Sequence, residues 1–219
     1  MNRAELAARI DHTILKADAT RDAVAKIVDE ALRYRCASVC VNGKHVPFVA
    51  ARLAGSPVLT CAVVGFPLGA MDSRAKAQET AGVVAAGARE VDMVLDVGAL
   101  KDRDDARVRD DIAAVVAAAG AVPVKVILET CLLTNDEKVR ACEASVAAGA
   151  AFVKTSTGFS TGGATLDDVR LMRASVGTRC KVKASGGIRD LAAALAMIEA
   201  GADRLGLSAT VAVLEALRD

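Results

Sequence analysis

Lys154 ends the apolar segment AFVK and is followed by the polar, glycine-rich run TSTGFSTGG. A second lysine, Lys183, lies in the similar segment CKVKASGG. Two buried ammonium groups near each other disfavour double protonation, and burial acts in the same direction. We therefore expect one of the two lysines to be neutral near neutral pH. A neutral lysine in an apolar pocket attacks carbonyl carbons and forms a Schiff base.

Asp92 is the candidate acid–base group for such an imine. Side chains alternate along a strand, so Asp92, Val94 and Asp96 share one face of the segment EVDMVLD. A carboxylate turned toward the lysines can, with a water, move the proton on the carbon next to the imine. Two lysines and one aspartate in this arrangement predict the chemistry of a metal-free aldolase.

A structural interpretation of the same residue types stays open. Inward lysines and aspartates of barrels often form buried ion pairs that only hold the interior layers together. Lys125, which shares a face with Ile127 and Glu129, is the candidate for such a structural or supporting role. The six cysteines include no C-x-x-C pair, and His12 and His45 are the only histidines. We therefore expect buried, reduced thiols and no metal or other cofactor.

The elements that must position these residues follow a repeat of about thirty residues. Each repeat has an Ala-rich helical stretch, a glycine that ends it and a short β-branched run. The six repeat glycines are Gly55, Gly87, Gly120, Gly149, Gly177 and Gly201. Eight segments are predicted strands: RIDHTILK, ASVCVN, VLTCAVV, EVDMVLDV, VKVILET, AFVKTS, CKVKASGG and DRLGLS.

Alternating strands and helices predict a parallel sheet, and eight such units can close into a barrel. We expect an α/β fold, a single (β/α)8 TIM barrel that forms one domain over residues 1–219. An open doubly wound sheet is the alternative, but the turn GFPLGAMD lacks the G-x-G-x-x-G pattern of dinucleotide-binding sheets. In a barrel the chemistry belongs at the C-terminal ends of the strands, where the residues above lie.

Glycine-rich turns after the last three strands indicate a phosphate site. Loops after strands seven and eight bind phosphate in many barrels of this kind. Backbone N–H groups that glycine leaves accessible can contact phosphate oxygens. The candidate binding residues are Gly158, Gly186, Gly187, Gly206 and Ser208.

Composition argues against several other classes of partner. Lys and Arg number 28 against 27 Asp and Glu, which leaves no basic face for nucleic acid. The longest apolar run, residues 112–128, is interrupted by Gly120, Pro123 and Lys125, so no membrane span is predicted. The early and frequent charges at the N-terminus are unlike a signal peptide. We expect a cytoplasmic protein without membrane or nucleic-acid partners.

Over nearly its whole length the chain resembles the deoxyribose-phosphate aldolase family. The matching segments are DHTILKADAT, SVCVN, GFPLGA, EVDMVL, GALK, KVILETC, FVKTSTGFSTGGAT and VKASGGIRD. The resemblance implies a metal-free (α/β)8 barrel that reversibly cleaves 2-deoxy-D-ribose 5-phosphate to D-glyceraldehyde 3-phosphate and acetaldehyde. The partners are then a phosphorylated sugar and aldehydes, and a homodimer is one possible assembly.

The resemblance also implies roles for individual residues. Lys154 in FVKTS matches the Schiff-base lysine, and Lys183 in VKASGG matches the second lysine, which keeps the first unprotonated and helps proton transfer. Asp92 in EVDMV matches the acid–base aspartate. Asp11 and Thr13 in DHT resemble the supporting proton relay.

The segment after strand eight departs from the family pattern. Leu207 and Ala209 stand where relatives often carry hydroxyl-bearing residues, which predicts looser phosphate binding. Two other functions stay open at this point. One is a different Schiff-base barrel enzyme acting on a keto acid or a ketose phosphate, and the other is a non-catalytic barrel that binds phosphorylated sugars.

Overall fold

A computed structural model describes residues 1–217 of the chain. Its eight strands are parallel, and each pairs with the next in chain order. The last strand pairs with the first, so the sheet closes into a barrel. The strands are β1 (Ile10–Ile14), β2 (Ser38–Val41), β3 (Leu59–Val64), β4 (Glu90–Val94), β5 (Val124–Ile127), β6 (Phe152–Lys154), β7 (Lys181–Ser185) and β8 (Arg204–Leu207).

Each of the eight predicted segments contains one of these strands, so the TIM barrel prediction is confirmed. All six repeat glycines have positive φ, and each follows a helix as predicted. The helices are α1 (Arg3–Ala7), α2 (Arg21–Tyr34), α3 (Val46–Leu53), α4 (Ser73–Ala85), α5 (Val97–Lys101), α6 (Asp105–Ala119), α7 (Asn135–Ala147), α8 (Leu166–Val176), α9 (Leu191–Glu199) and α10 (Thr210–Glu215).

Two short helices, α1 and α5, were not predicted from the sequence. Asn2 begins α1 with a capping box, because its side chain accepts from the Glu5 N–H while the Glu5 carboxylate accepts from the Asn2 N–H. α1 packs against α10, and Arg3 donates to the Leu214 carbonyl at 3.1 Å. The N-terminus is thereby fixed to the last helix of the barrel.

The apolar core has two parts of very different size. The larger lies between the helices and the outward-facing side chains of the strands, and it is built almost entirely from Ala, Val, Leu, Ile and Met. The smaller lies inside the barrel and comprises Leu15, Cys40, Cys61 and Val63, with Phe66 packed against them. Most of the remaining interior is polar, which is unusual for a packed barrel and marks the interior as a candidate site.

Strand register brings the interior charges together. Asp92 on β4 is the register partner of Lys125 on β5, and Lys154 on β6 is the partner of Lys183 on β7. Asp92 also contacts Lys183, although β4 and β7 are not neighbours in the sheet. Such a contact is made only across the interior, so these side chains point inward as predicted.

Asp96 does not share the inward face with Asp92 and Val94, so this part of the prediction is wrong. β4 ends at Val94, and the Asp96 side chain instead caps α5 by accepting from the Ala99 N–H at 3.0 Å. Its other oxygen pairs with Arg107 at 3.3 Å. An aspartate that can cap a helix thus ends the alternation of the strand.

Within residues 1–217, the helices are too short or too polar to cross a bilayer.

Candidate active site

The Asp92 carboxylate lies at the centre of the buried polar cluster. Its Oδ2 accepts hydrogen bonds from Lys154 at 2.8 Å and from Lys183 at 2.7 Å. Its Oδ1 accepts from Lys125 at 2.7 Å and from the Cys61 thiol at 3.1 Å. The structure therefore places the three predicted residues Asp92, Lys154 and Lys183 in direct contact.

Asp11 and Glu90 complete the anionic side of the cluster. Asp11 pairs with Lys183 at 2.5 Å, with Arg204 at 2.6 Å and with Lys125 at 3.6 Å. Glu90 pairs with Lys125 at 2.7 Å and with Arg204 at 3.2 Å. The predicted Asp11 is thus joined to Lys183. Glu90 and Arg204 were missed by the sequence analysis.

The four cations of this cluster are not held equally. Lys125, Lys183 and Arg204 each contact at least two carboxylates, whereas Lys154 contacts only Asp92. Lys154 also shares its Asp92 oxygen with Lys183. Three carboxylates face four cations, so the cluster carries balanced charge when Lys154 is neutral. Lys154 is therefore the lysine of the cluster with the fewest carboxylate partners.

Together, ion pairs shift the pKa of the remaining buried groups more than burial does. This holds for Asp11, Asp92, Lys125 and Lys183. Burial alone would raise the pKa of Asp92, but Lys125, Lys154 and Lys183 hold it well below its usual value. Burial alone would lower the pKa of Lys183, but Asp11 and Asp92 raise it instead. By the same balance the pKa of Lys125 is raised and that of Asp11 is lowered. Lys183 is therefore charged and Asp92 ionised at neutral pH.

A cavity of about 620 Å³ opens onto Lys154 from the C-terminal ends of the strands. It is lined by residues at the ends of four strands, β1, β6, β7 and β8, by the segments that follow them and by part of α2. Thr13 lines this cavity, but its hydroxyl donates to the Asp11 carbonyl at 2.8 Å and makes no hydrogen bond to the charged cluster. Among the described residues, Lys154 is the member of the cluster that lines this cavity.

All five predicted phosphate-site residues line the same cavity: Gly158, Gly186, Gly187, Gly206 and Ser208. Gly186 and Gly187 have φ of 84° and 79°, a conformation that other residues rarely adopt. Gly206 has a different constraint. A Cβ there would lie 2.9 Å from the Ser185 Cβ and 3.2 Å from the Lys183 Cε, so glycine leaves room for the buried lysine.

Two cations that line the cavity were missed by the sequence analysis. Lys16 follows β1, and Arg189 comes two residues after the Gly186–Gly187 pair. Both lie in segments that resemble the family, DHTILK and SGGIRD. A basic residue just beyond a predicted strand end, next to a glycine-rich turn, is the signal that could have identified Arg189 as an anion-binding residue.

Leu207 and Ala209 lie outside the predicted phosphate site. Leu207 is buried in the apolar core between the strands and helices. Ala209 stands at the start of α10 and does not line the cavity that Lys154 faces. Ala209 instead lines a neighbouring cavity that also includes Ser208, so the expected effect of Leu207 and Ala209 on phosphate binding stays a prediction.

Glu129 fixes the loop that follows Lys154. Glu129 lies beyond the end of β5 with a φ of 57°, so it does not continue the strand face of Lys125 and Ile127. Its carboxylate accepts from the Thr157 N–H at 3.2 Å and from the Thr157 hydroxyl. The glycine-rich run after β6 is thereby tied to the end of β5.

Comparisons with known proteins agree with this site and fold. Residues 6–215 match the family model described as DeoC/LacD family aldolase. The chain is 56% identical over 215 residues to the deoxyribose-phosphate aldolase of Alkaliphilus oremlandii, covering 98% of this chain and 97% of the relative. For the enzyme of Bacillus cereus strain AH187 the values are 59%, 98% and 95%.

A solved structure gives the same result. The deoxyribose phosphate aldolase of Aeropyrum pernix, described as tetrameric, superposes with a TM-score of 0.92 at 33% identity. The alignment covers 98% of this chain and 92% of that chain. These matches confirm the resemblance drawn from the motifs. The chain belongs to the DeoC/LacD family of aldolases.

Proposed function

We propose that this chain is a class I aldolase that reversibly cleaves 2-deoxy-D-ribose 5-phosphate to D-glyceraldehyde 3-phosphate and acetaldehyde. The observation that carries the proposal is the single Asp92 oxygen shared by Lys154 and Lys183, with Lys154 facing the cavity. It places a nucleophile, a fixed positive charge and a carboxylate at one point. The names of the relatives supply the substrate.

Lys154 is the proposed Schiff-base residue. Deprotonation of Lys154 leaves three cations facing three carboxylates, so the free amine is compatible with its buried surroundings. Its nitrogen then attacks the aldehyde carbon C1 of the open-chain sugar, and loss of water gives the protonated imine. Because Lys183 stays charged beside it, the imine forms next to a fixed cation.

Asp92 and Lys183 are the proposed proton-transfer pair. Removal of the proton from the C3 hydroxyl allows the C2–C3 bond to break, and its electrons flow into the imine to give an enamine. The ionised Asp92, with a water, takes this proton, and it or Lys183 returns one to C2 before hydrolysis releases acetaldehyde. Asp11 supports the pair by holding Lys183 at 2.5 Å.

The phosphate is proposed to bind in the same cavity that Lys154 lines. Gly158, Gly186, Gly187, Gly206 and Ser208 line this part, and their N–H groups suit phosphate oxygens. Lys16 and Arg189 add positive charge, which backbone groups alone do not supply.

The chain is proposed to act in the cytoplasm as one domain over residues 1–219, of which 218 and 219 lie outside the described residues, and a homodimer is the assembly to test. Lys154 supplies the electrophilic catalysis through its imine, so the mechanism requires no metal or cofactor. Thr13 is proposed to support the proton relay with Asp11, whose carbonyl accepts a hydrogen bond from the Thr13 hydroxyl.

The test is a coupled assay that follows acetaldehyde release from 2-deoxyribose 5-phosphate. We expect turnover by the purified chain, and its loss in Lys154→Ala. The same preparation should not condense glyceraldehyde 3-phosphate with pyruvate or dihydroxyacetone phosphate. Condensation with either of these donors would favour the keto-acid or ketose-phosphate alternative. Binding of the sugar phosphate without acetaldehyde release would favour the non-catalytic alternative.

A further inference from the structure

Cys40 and Cys61 form a pair of thiols inside the barrel. They are register partners on the neighbouring strands β2 and β3, and both side chains are completely buried. Their sulfurs and an oxygen of Asp92 all lie within 4.8 Å of one another. Neighbouring strands are spaced about 4.8 Å apart, which is within the range of Cα separations that a disulfide can join.

The pair differs from the other four cysteines in its surroundings. The apolar side chains of Leu15, Val63 and Phe66 pack around the two thiols inside the barrel. The Cys61 thiol also contacts Asp92, so the pair lies at the boundary between these apolar side chains and the charged cluster. Cys36, Cys142 and Cys180 are buried in the core outside the barrel, and Cys131 is exposed. The exposure of Cys131 corrects the expectation that all six thiols are buried.

Two thiols and a carboxylate also resemble a metal-ligand set, but the charges argue against that use. The Lys125 ammonium lies 3.4 Å from the Cys61 sulfur and 2.7 Å from Asp92 Oδ1. A cation therefore already contacts two of these three ligand groups. A metal ion would add further positive charge to a cluster in which four cations face three carboxylates. We therefore favour a reaction of the two thiols that leaves the net charge of the cluster unchanged.

We propose that Cys40 and Cys61 are a modification site at which a hydroperoxide oxidises the two thiols to a disulfide and thereby lowers the aldolase activity reversibly. The Cys40 thiolate attacks the outer peroxide oxygen, and the O–O bond breaks to release water or an alcohol after protonation. The resulting sulfenic acid is attacked by Cys61, which loses its proton and expels water. Two thiols and one hydroperoxide give one disulfide, one water and one alcohol or second water.

The surroundings divide the two roles between the thiols. The neighbouring Cys61 thiol lowers the pKa of Cys40, and the nearby Lys183 and Lys154 act in the same direction. Burial raises the pKa of Cys61 well above its usual value. Cys40 is therefore the nucleophile and Cys61 the resolving thiol.

The disulfide would act on catalysis through Asp92. The Cys61 thiol donates to Asp92 Oδ1, and a disulfide sulfur has no proton to donate. Linking the side chains also draws Cys61 toward Cys40 and away from Lys125, which contacts both Cys61 and Asp92. The site thus connects oxidation to the position of the acid–base carboxylate. This consequence rests on the proposed function, whereas formation of the disulfide does not.

The first test maps the product in the unmodified protein. Reduced protein is treated with hydrogen peroxide and digested with trypsin without reduction. We expect residues 36–44 to be joined to residues 53–74, with fragment ions that assign the link to Cys40 rather than Cys36. A link that involves Cys36, or no link between these peptides, would overturn the modification site whatever the enzyme's substrate.

The second test measures activity. We expect at least a tenfold loss after peroxide treatment, full recovery with dithiothreitol, and the same behaviour in the control variant Cys131→Ser, which lacks the exposed thiol. Cys40→Ala should keep its own starting activity under the same treatment. Loss of peroxide sensitivity in Cys131→Ser would overturn the proposal. A mapped Cys40–Cys61 disulfide without loss of activity would overturn only the link to catalysis.

Discussion

Lys183→Leu tests how the buried charges control Lys154. Lys183 lies 2.7 Å from the Asp92 oxygen that Lys154 also contacts, and it pairs with Asp11 at 2.5 Å. Without this cation the two carboxylates favour the protonated form of Lys154. The acid limb of the activity profile should therefore move to higher pH.

An upper limit for this shift follows from Coulomb's law for two cations that contact the same Asp92 oxygen, at 2.8 and 2.7 Å. Two unit charges about 4 Å apart interact by about 4 kcal/mol at an effective dielectric constant of about 20. One pH unit corresponds to about 1.4 kcal/mol, so the full interaction would move the limb by almost 3 units. Since Asp92 lies between the two lysines and partly screens them, we expect a shift of about 2 units, as well as a lower kcat from the lost proton transfer.

The assay is kcat/KM against pH for acetaldehyde release. Lys76→Leu is the matched control, because Lys76 is equally buried and pairs with Asp111 at 2.7 Å outside the barrel. Both variants should lose stability, by about 3–5 kcal/mol for a broken buried ion pair. Only Lys183→Leu should move the pH profile. A folded Lys183→Leu protein with the parent's acid limb would refute the charge argument.

Three other predictions concern neighbouring parts of the site. Asp92→Asn should slow exchange of the acetaldehyde methyl protons with deuterated water by roughly a hundredfold, and exchange at the parent rate would point to another base. Arg189→Gln should raise KM for deoxyribose 5-phosphate by about tenfold or more, since a hydrogen bond to a charged group contributes about 1.5–3 kcal/mol. Unphosphorylated deoxyribose should be affected little, and an equal effect on both sugars would exclude Arg189 from the phosphate site. Because the pKa values of Asp11 and Asp92 are held below the ordinary value of 3.8, both carboxylates stabilise the fold above that pH. Their contribution should be lost as pH falls through and below that value, so the urea midpoint should drop there, and less so in Asp11→Asn.

The local sequence pattern was sufficient to predict the barrel and to identify the three central residues of the site. Each strand is a short β-branched run that follows the end of a helix, in six cases a glycine with positive φ. These features can be predicted from residues that are close together in the sequence. Lys154, Lys183 and Asp92 could be placed together because each alternates inward near a strand end. Barrel closure then guarantees that inward groups meet.

The rest of the cluster depends on contacts that no local pattern contains. Arg204 reaches Glu90 across the interior, from β8 to β4, so the pair follows from barrel diameter and side-chain length. For Asp96, by contrast, the local pattern led to a wrong prediction. Its local pattern suits a strand, but the unpaired N–H groups of α5 compete for its carboxylate and end the alternation.

The most direct test of the central claim is reductive trapping of the imine. The protein is incubated with acetaldehyde and borohydride, digested with trypsin and mapped by mass spectrometry. Reduction of the imine adds an ethyl group of about 28 Da to the lysine nitrogen. Trypsin does not cleave after the modified residue, so we expect the adduct in a peptide spanning residues 141–170, with fragment ions that place it on Lys154. An adduct on Lys183 or Lys125 instead, with Lys154 unmodified, would contradict the account.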